Sequence, residues 1–170
     1  MPRIYLGLGS NLGDRAGNLS EAAGQVSTRL GIRNLRLSSL YKTEPVGPVD
    51  QPWFLNAVAE MITTLTPVAL LNGCQQIEQQ MGRVPTERWG PRLIDIDVLL
   101  YANLRVQTDR LNVPHPELWN RRFVLTPLVE VARSRTLRDR ARRRLAELPE
   151  RPTVMPYRPS RDGETGSTKL

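Results

Sequence analysis

The chain has 170 residues, 39% of them hydrophobic, which suits one domain with one core. Its 24 basic and 17 acidic residues give a formal net charge of +7, and its single cysteine, Cys74, excludes an intrachain disulfide. No apolar run reaches the roughly 18 residues of a membrane span, so we expect a cytoplasmic protein with no membrane partner.

The positive charge is concentrated near the C-terminus. Residues 133–151 hold eight arginines against three acidic residues, and the rest of the chain is close to neutral. A basic segment of this kind indicates a polyanion partner less firmly than a basic fold does, so we expect no nucleic-acid partner.

The first part of the chain predicts a strand, a helix and two more strands. Residues 4–8 form a short apolar run, and residues 18–30 repeat apolar side chains at helical spacing. Residues 35–41 and 54–65 are typical of strands. Between these two strands, the proline-rich stretch 43–52 predicts a constrained loop.

A second helix and a fourth strand follow. Thr66 and Pro67 predict the start of a helix, which continues to about Met81. Residues 93–101 predict a strand. Weaker signals predict a strand near 104–108, a short helix within 116–132 and a basic helix over 137–147.

This order predicts an α+β fold of the ferredoxin-like βαββαβ type, an antiparallel sheet with helices on one face, plus C-terminal additions. We expect a single domain over residues 1–158, and a disordered tail over 159–170 because the stretch from Ser160 has no apolar residue before the last one. No sizeable apolar surface is evident beyond the core, and a monomer is expected.

Two carboxylates stand in the apolar stretch 93–101. Side chains two apart in a strand point the same way, so Asp95 and Asp97 share one face, opposite Ile96. The same alternation predicts three apolar side chains on the Asp face: Leu93, Leu99 and Tyr101. A solvent-facing sheet is one explanation of the pair. A Mg²⁺ site that takes the rest of its shell from phosphate and water is the other, since it relieves both the burial and the repulsion of the two charges.

The flanking residues favour a phosphate site. Arg83, Arg88 and Arg92 lie in the loop before the pair, and arginine binds phosphate bidentately. Salt bridges from these arginines to the two aspartates are the alternative. His115, between two prolines, is followed closely by Arg121 and Phe123, residue types that suit an anion and a flat ring.

Three common motifs are ruled out. The stretch GLGSNLG at 7–13 lacks the third glycine of a dinucleotide fingerprint in register. The chain has neither a Walker-type Gly-Lys-Ser/Thr nor a G-x-S-x-G elbow. A nucleotide is therefore expected to bind in another way, and a Ser-His-Asp hydrolase is not expected.

Five motifs in order resemble the 6-hydroxymethyl-7,8-dihydropterin pyrophosphokinase family. They are GSNLGDR (9–15), YKTEPVGPVDQPWFLNAV (41–58), IEQQMGR (77–83), ERWGPRLIDIDVLLY (87–101) and LNVPHPELWNRRFVLTPLVEVA (111–132). The resemblance implies a transfer of pyrophosphate from ATP to the hydroxymethyl group of the reduced pterin. The products are AMP and the pterin diphosphate, in folate biosynthesis, with two Mg²⁺ ions as cofactors.

The resemblance also implies roles for residues. The positions that match catalytic residues are Arg83, Arg92, Asp95 and Asp97, of which the two aspartates hold the metals. The positions that match ATP contacts are Gln75, Glu78, Arg83, Trp89, Arg92, Val98, Arg110, Leu111, His115 and Arg121. The positions that match pterin contacts are Thr43, Glu44, Pro45, Val46, Phe54, Asn56, Trp89, Asp95, Arg121 and Phe123.

Residue spacing agrees with part of this assignment. Phe54 and Asn56 are two apart in a predicted strand, so a flat ring and an amide face the same way. Gln75 and Glu78 are three apart in a predicted helix and share a face.

Two other functions are weighed against the pyrophosphokinase. An RNA-binding module is compatible with the element order and the basic segment, but it requires a Lys/Arg-Gly-Phe pattern on a strand that the chain lacks. A nucleotidyltransferase or cyclase could use the same carboxylate pair but would not need Phe54 and Asn56.

Overall fold

The computed structural model describes residues 1–47, 50–84 and 90–159. The elements in chain order are β1 (Arg3–Ser10), α1 (Arg15–Arg29), β2 (Arg33–Leu37), β3 (Tyr41–Thr43), β4 (Phe54–Ile62), α2 (Pro67–Gln80), β5 (Asp95–Tyr101), β6 (Val106–Gln107), β7 (Asn112–Val113), a 3₁₀ turn (Leu118–Asn120), α3 (Arg122–Val131), α4 (Arg135–Glu147) and β8 (Val154–Pro156).

The main sheet has six strands in the order β5-β1-β4-β3-β8, and β2 pairs with another part of β4. Every pairing within it is antiparallel. The antiparallel sheet and the helices predicted from sequence are therefore confirmed. No helix among the described ranges is long and apolar enough to cross a membrane.

Most predicted elements are present, with shifted ends. Helix α1 begins at Arg15, three residues before the predicted start, because the Asp14 side chain caps it by accepting the Gly17 N–H at 3.0 Å. Thr66 caps α2 with Pro67 at the first turn, as predicted.

The predicted strand 35–41 is two strands. Leu37 pairs with Ala59 and Tyr41 with Asn56, which leaves three residues opposite two. At this bulge the Ser39 N–H donates to the Glu130 carboxylate at 2.9 Å instead of to β4.

Helices pack on both faces of the sheet. The α1–α2 cluster, defined by the buried residues around Leu19 and Ile77, includes Ile4, Leu6 and Leu8 of β1. The α3–α4 cluster, defined by the buried residues around Leu128 and Ala141, includes Tyr5, Val58 and Leu99. Because alternate strand residues enter different clusters, α3 and α4 lie on the face opposite α1 and α2. The expectation of helices on one face holds for α1 and α2 alone.

Strand β5 contains a bulge that corrects one expectation. Val98 pairs with Leu6 and Leu100 with Tyr5, so Leu99 is an extra residue. The bulge turns Tyr101 into the α1–α2 cluster, away from the Asp face where simple alternation places it. Leu93 precedes the strand, which begins at Asp95, whereas Leu99 lies on the Asp face as predicted.

Candidate active site

A cavity of about 270 Å³ opens on the sheet face that α3 and α4 partly cover. Its lining residues are Gly7, Leu8, Gly9, Thr43, Glu44, Val46, Gln51, Phe54, Asn56, Ala57, Val58, Arg92, Asp95, Asp97, Leu99, His115, Glu117, Asn120, Arg121, Phe123, Val124 and Pro152. Eleven of the predicted site residues are in this set: Thr43, Glu44, Val46, Phe54, Asn56, Arg92, Asp95, Asp97, His115, Arg121 and Phe123.

Two glycines of β1 keep the floor of the cavity low. Gly9 pairs with Asp95 on one side and with Asn56 on the other, and Gly7 pairs with Asp97. A Cβ on Gly9 would lie 2.9 Å from Asn56 Oδ1, closer than real Cβ contacts, and one on Gly7 would touch Leu99 at 3.4 Å. Sequence reasoning missed both as site residues, although glycines two apart in an apolar strand are a signal of close approach.

One end of the cavity combines aromatic rings with an amide. Phe54 and Asn56 lie two apart on β4, and Asn56 is buried and donates to Thr43 Oγ1 at 3.0 Å. Phe123, at the start of α3, carries the Arg121 guanidinium 5.6 Å from its ring centre. This end therefore offers flat apolar surfaces beside a fixed polar group.

The other end holds Asp95 between two arginines. Arg83 Nη1 lies 3.0 Å from Asp95 Oδ1, and Arg92 Nη1 lies 2.8 Å from Oδ2. The alternative that these arginines pair with the aspartates is thus observed for Asp95. No ion pair joins them to Asp97 within the residues that the structure describes.

Asp97 is in a different environment. Burial, and then the neighbouring Asp95 charge, raise the pKa of Asp97 well above its ordinary value, while Arg121 lowers it. The Nε2 atom of His115 lies 4.0 Å from Asp97 Oδ2.

His115 is held as a neutral donor. Burial, and then the Arg121 charge, lower the pKa of His115. Its Nδ1 accepts the Glu117 N–H at 3.1 Å, which places the proton on Nε2, the atom on the Asp97 side.

Glu78 connects α2 to the strand between the two aspartates. Its buried carboxylate accepts the Ile96 N–H at 2.6 Å and pairs with Arg83 at 2.5 Å. Burial raises its pKa. Glu78 does not line the cavity, and its contacts with Ile96 and Arg83 are contacts within the protein.

The remaining predicted residues lie away from the cavity. Gln75 is exposed on α2, and Arg110 donates to Asn72 Oδ1 at 2.7 Å. Val98 and Leu111 are buried in the α1–α2 cluster. Pro45 is not among the lining residues. Arg83 does not line the cavity but pairs with Asp95, which does, and the predictions for Arg88 and Trp89 lie outside the described residues.

Residues 5–133 match the family model described as 7,8-dihydro-6-hydroxymethylpterin-pyrophosphokinase. The chain belongs to this family. It is 50% identical over 132 residues to a 2-amino-4-hydroxy-6-hydroxymethyldihydropteridine pyrophosphokinase of Methylorubrum extorquens, covering 78% of this chain and 84% of that one. A pyrophosphokinase of the same name from Haemophilus influenzae is 44% identical over 132 residues, with 78% and 82% covered.

Solved structures share the fold. An HPPK-DHPS structure in complex with substrates aligns with a TM-score of 0.63 at 14% identity, covering 86% of this chain. This pyrophosphokinase family member spans 45% of that solved chain, so the likeness concerns one part of it and the fold alone.

Proposed function

We infer that this chain transfers pyrophosphate from ATP to the hydroxymethyl group of 6-hydroxymethyl-7,8-dihydropterin, giving AMP and the pterin diphosphate in folate biosynthesis. One observation carries the inference beyond family membership: a single cavity joins an aromatic and amide end to an arginine and carboxylate end. The first end suits a flat heterocycle and the second suits a polyphosphate.

The pterin is proposed to lie between Phe54 and Phe123. Stacking between aromatic rings accepts many flat heterocycles. Specificity for the pterin must therefore come from hydrogen bonds to the edge of its ring. Asn56 is suited to this because its hydrogen bond to Thr43 fixes which way the amide points. The family resemblance assigns further hydrogen bonds to backbone groups between Thr43 and Val46, and Asp95 and Arg121 border the same space.

The carboxylates fit Mg²⁺. Asp95 and Asp97 are hard oxygen donors on one strand, and in the described chain no group of three or more His, Cys, Asp or Glu forms a fuller cage. Mg²⁺ keeps waters and accepts phosphate oxygens, so two protein carboxylates suffice. When bound, two such ions would neutralise charge on the ATP phosphates. We propose that Asp95 and Asp97 hold them.

The arginines are proposed to change partners. Arg83 and Arg92 now pair with Asp95, and phosphate oxygens offer them the same bidentate geometry. Arg121 and the His115 Nε2–H add donors on the Asp97 side, and since that nitrogen carries a proton, it serves as a donor and not as a base.

The adenosine part of ATP is assigned by resemblance. Gln75, Glu78, Trp89, Val98, Arg110 and Leu111 match the family's nucleotide positions. Since the described ones lie outside the cavity wall, the nucleotide would extend beyond the cavity past α2 and the β6–β7 turn.

We also propose the finer structural assignments. Strand β1 lies between β5 and β4, and β4 also pairs with β2 and β3. This order supports a ferredoxin-like sheet to which β8 is a C-terminal addition. Both core clusters share this one sheet, which supports one domain over 1–158. The monomeric state, the cytoplasmic location and the tail at 159–170 stay predictions.

The decisive assay is incubation of the protein with MgATP and the hydroxymethyl pterin, with nucleotides separated by chromatography. AMP is expected in a one-to-one ratio with pterin diphosphate. Formation of ADP instead would indicate ordinary phosphoryl transfer and contradict the proposal. Chelation of Mg²⁺ should stop the reaction, and excess Mg²⁺ should restore it.

A further inference from the structure

The C-terminal part of the chain reaches the candidate active site. Strand β8 pairs antiparallel with β3, so that Thr43 lies opposite Val154. Pro152, just before β8, lines the cavity. The family match ends at residue 133, so these contacts come from a part of the chain to which the match assigns nothing.

Glu44 is fixed by this segment through three contacts. The Glu44 N–H donates to the Thr153 carbonyl at 3.0 Å, and the Thr153 N–H donates to Glu44 Oε2 at 3.1 Å. Arg151 Nη1 lies 3.2 Å from Glu44 Oε1. The bond from Thr153 and the Arg151 charge lower the pKa of Glu44, in keeping with an ionised side chain held in place.

These contacts matter because the strand before Glu44 is short. Strand β3 has three residues, and such a strand does not by itself define the path of the loop that follows it. The reciprocal bonds with Thr153 extend the pairing by one residue, and Tyr157 N–H donates to the Leu40 carbonyl at 2.8 Å at the other end. Both ends of β3 are therefore fastened to the C-terminal segment.

We propose that residues 151–157, the C-terminal strap, set the position of Glu44 and the following backbone and so determine how tightly the pterin binds. Pro152 forms part of the binding wall, while Arg151 and Thr153 are positioning residues that act through Glu44. This proposal rests on the proposed function, since it assigns the pterin to this end of the cavity.

Two truncations test the strap. Deleting residues 151–170 should raise the KM for the pterin by at least about tenfold, because a displaced loop misplaces the substrate, while the KM for ATP changes less than about twofold. Deleting only residues 160–170 should leave both values unchanged. Direct titration with the pterin should show the same loss of affinity in the longer deletion.

A point variant guards against misfolding of the longer deletion. Arg151→Ala should raise the pterin KM by about two- to fivefold, since an exposed ion pair contributes modestly. Arg143→Ala is the matched control, an exposed arginine with no described ion pair, and should change nothing. In a Glu44→Gln background, Arg151→Ala should add little, because its partner charge is gone.

The outcomes separate the two proposals. An unchanged pterin KM and affinity in both Arg151→Ala and the longer deletion would overturn the strap. Equal increases in the KM for pterin and the KM for ATP would also overturn it, because they indicate general destabilisation of the protein. Absence of AMP formation by the unaltered protein would overturn the proposed function instead, and the strap would then fail only if pterin affinity were the same with and without it.

Discussion

Asp95 and Asp97 are two residues apart yet differ in what surrounds them. Asp95 has an arginine on each carboxylate oxygen, whereas Asp97 has no such pair among the described residues and a raised pKa. The proposed Mg²⁺ would supply Asp97 with the positive partner that the two arginines already supply to Asp95. Because the arginines already neutralise Asp95, the consequence of removing each carboxylate should differ.

Asp97→Ala should lower kcat by at least about a hundredfold, because the phosphates lose charge neutralisation during transfer. The fold should persist, since the Asp97 side chain is only partly buried and the substitution relieves its repulsion from Asp95. Steady-state AMP formation and the melting temperature measure the two effects. Glu21→Ala, at an exposed position on α1, is the control and should keep full activity. Retained Mg²⁺-dependent turnover in Asp97→Ala would show that the carboxylate is not needed.

Gly9→Ala tests the floor of the cavity. The added methyl would lie 2.9 Å from Asn56 Oδ1, so the amide must move from the position that its bond to Thr43 fixes. The KM for the pterin should rise about tenfold or more, and the KM for ATP should rise less. Gly24→Ala, whose added methyl meets nothing within 4 Å, is the matched control and should leave both constants unchanged. Equal constants for Gly9→Ala and the unaltered protein would contradict the proposed role of Asn56.

Strand β5 shows how far a sequence pattern can be followed. Alternation correctly places Asp95, Asp97 and Leu99 on one face, because it depends only on the strand period. It misplaces Tyr101, because the bulge at Leu99 is set by pairing with Tyr5 and Leu6 of β1, a strand far earlier in the chain. The spacing of Gly7 and Gly9 signals a close approach of something to β1, but only the strand register shows that they lie opposite the two aspartates.

The helices show the same limit. Periodicity predicted α1, α2 and a basic helix near α4, but it could not say which face of the sheet each one covers. Helices α3 and α4 cover only part of the second face of the sheet, which leaves room for the cavity. Their placement depends on contacts between residues far apart in sequence, such as those between α3 and β4. The binding residues were found by family resemblance, whereas the contacts of Glu78 and Glu44 appear only in three dimensions.

Glu78 ties α2 to β5 and gives an element-scale prediction. Removal of the carboxylate leaves the buried Ile96 N–H without its acceptor, so Glu78→Ala should lower the free energy of unfolding by about 1–3 kcal/mol. Glu78→Gln keeps an acceptor oxygen and should lose less. Urea denaturation followed by circular dichroism compares the two. An equal loss in both variants would indicate that the charge, through Arg83, matters more than the hydrogen bond.

At the scale of the molecule, the two core clusters share one sheet. Strands β1, β4 and β5 contribute alternate residues to each cluster. If one cluster loses its packing, the strands that also hold the other cluster in place are disturbed. The chain should therefore unfold in one cooperative step. Cys74 provides a reporter, since it is fully buried in the α1–α2 cluster and its pKa is raised to about 12, chiefly by burial.

Leu128→Ala in the α3–α4 cluster tests this coupling. Leu128 is fully buried, and the truncation should cost about 2–5 kcal/mol. If the clusters unfold together, labelling of Cys74 by a thiol reagent should accelerate by the corresponding factor, although Leu128 belongs to the cluster on the opposite face of the sheet. Leu104→Ala, at a half-exposed position, should leave the labelling rate unchanged. If Leu128→Ala is destabilised but its rate of Cys74 labelling is unchanged, the two faces of the sheet unfold independently. The site between β5 and α3 could then loosen while α1 and α2 stay packed.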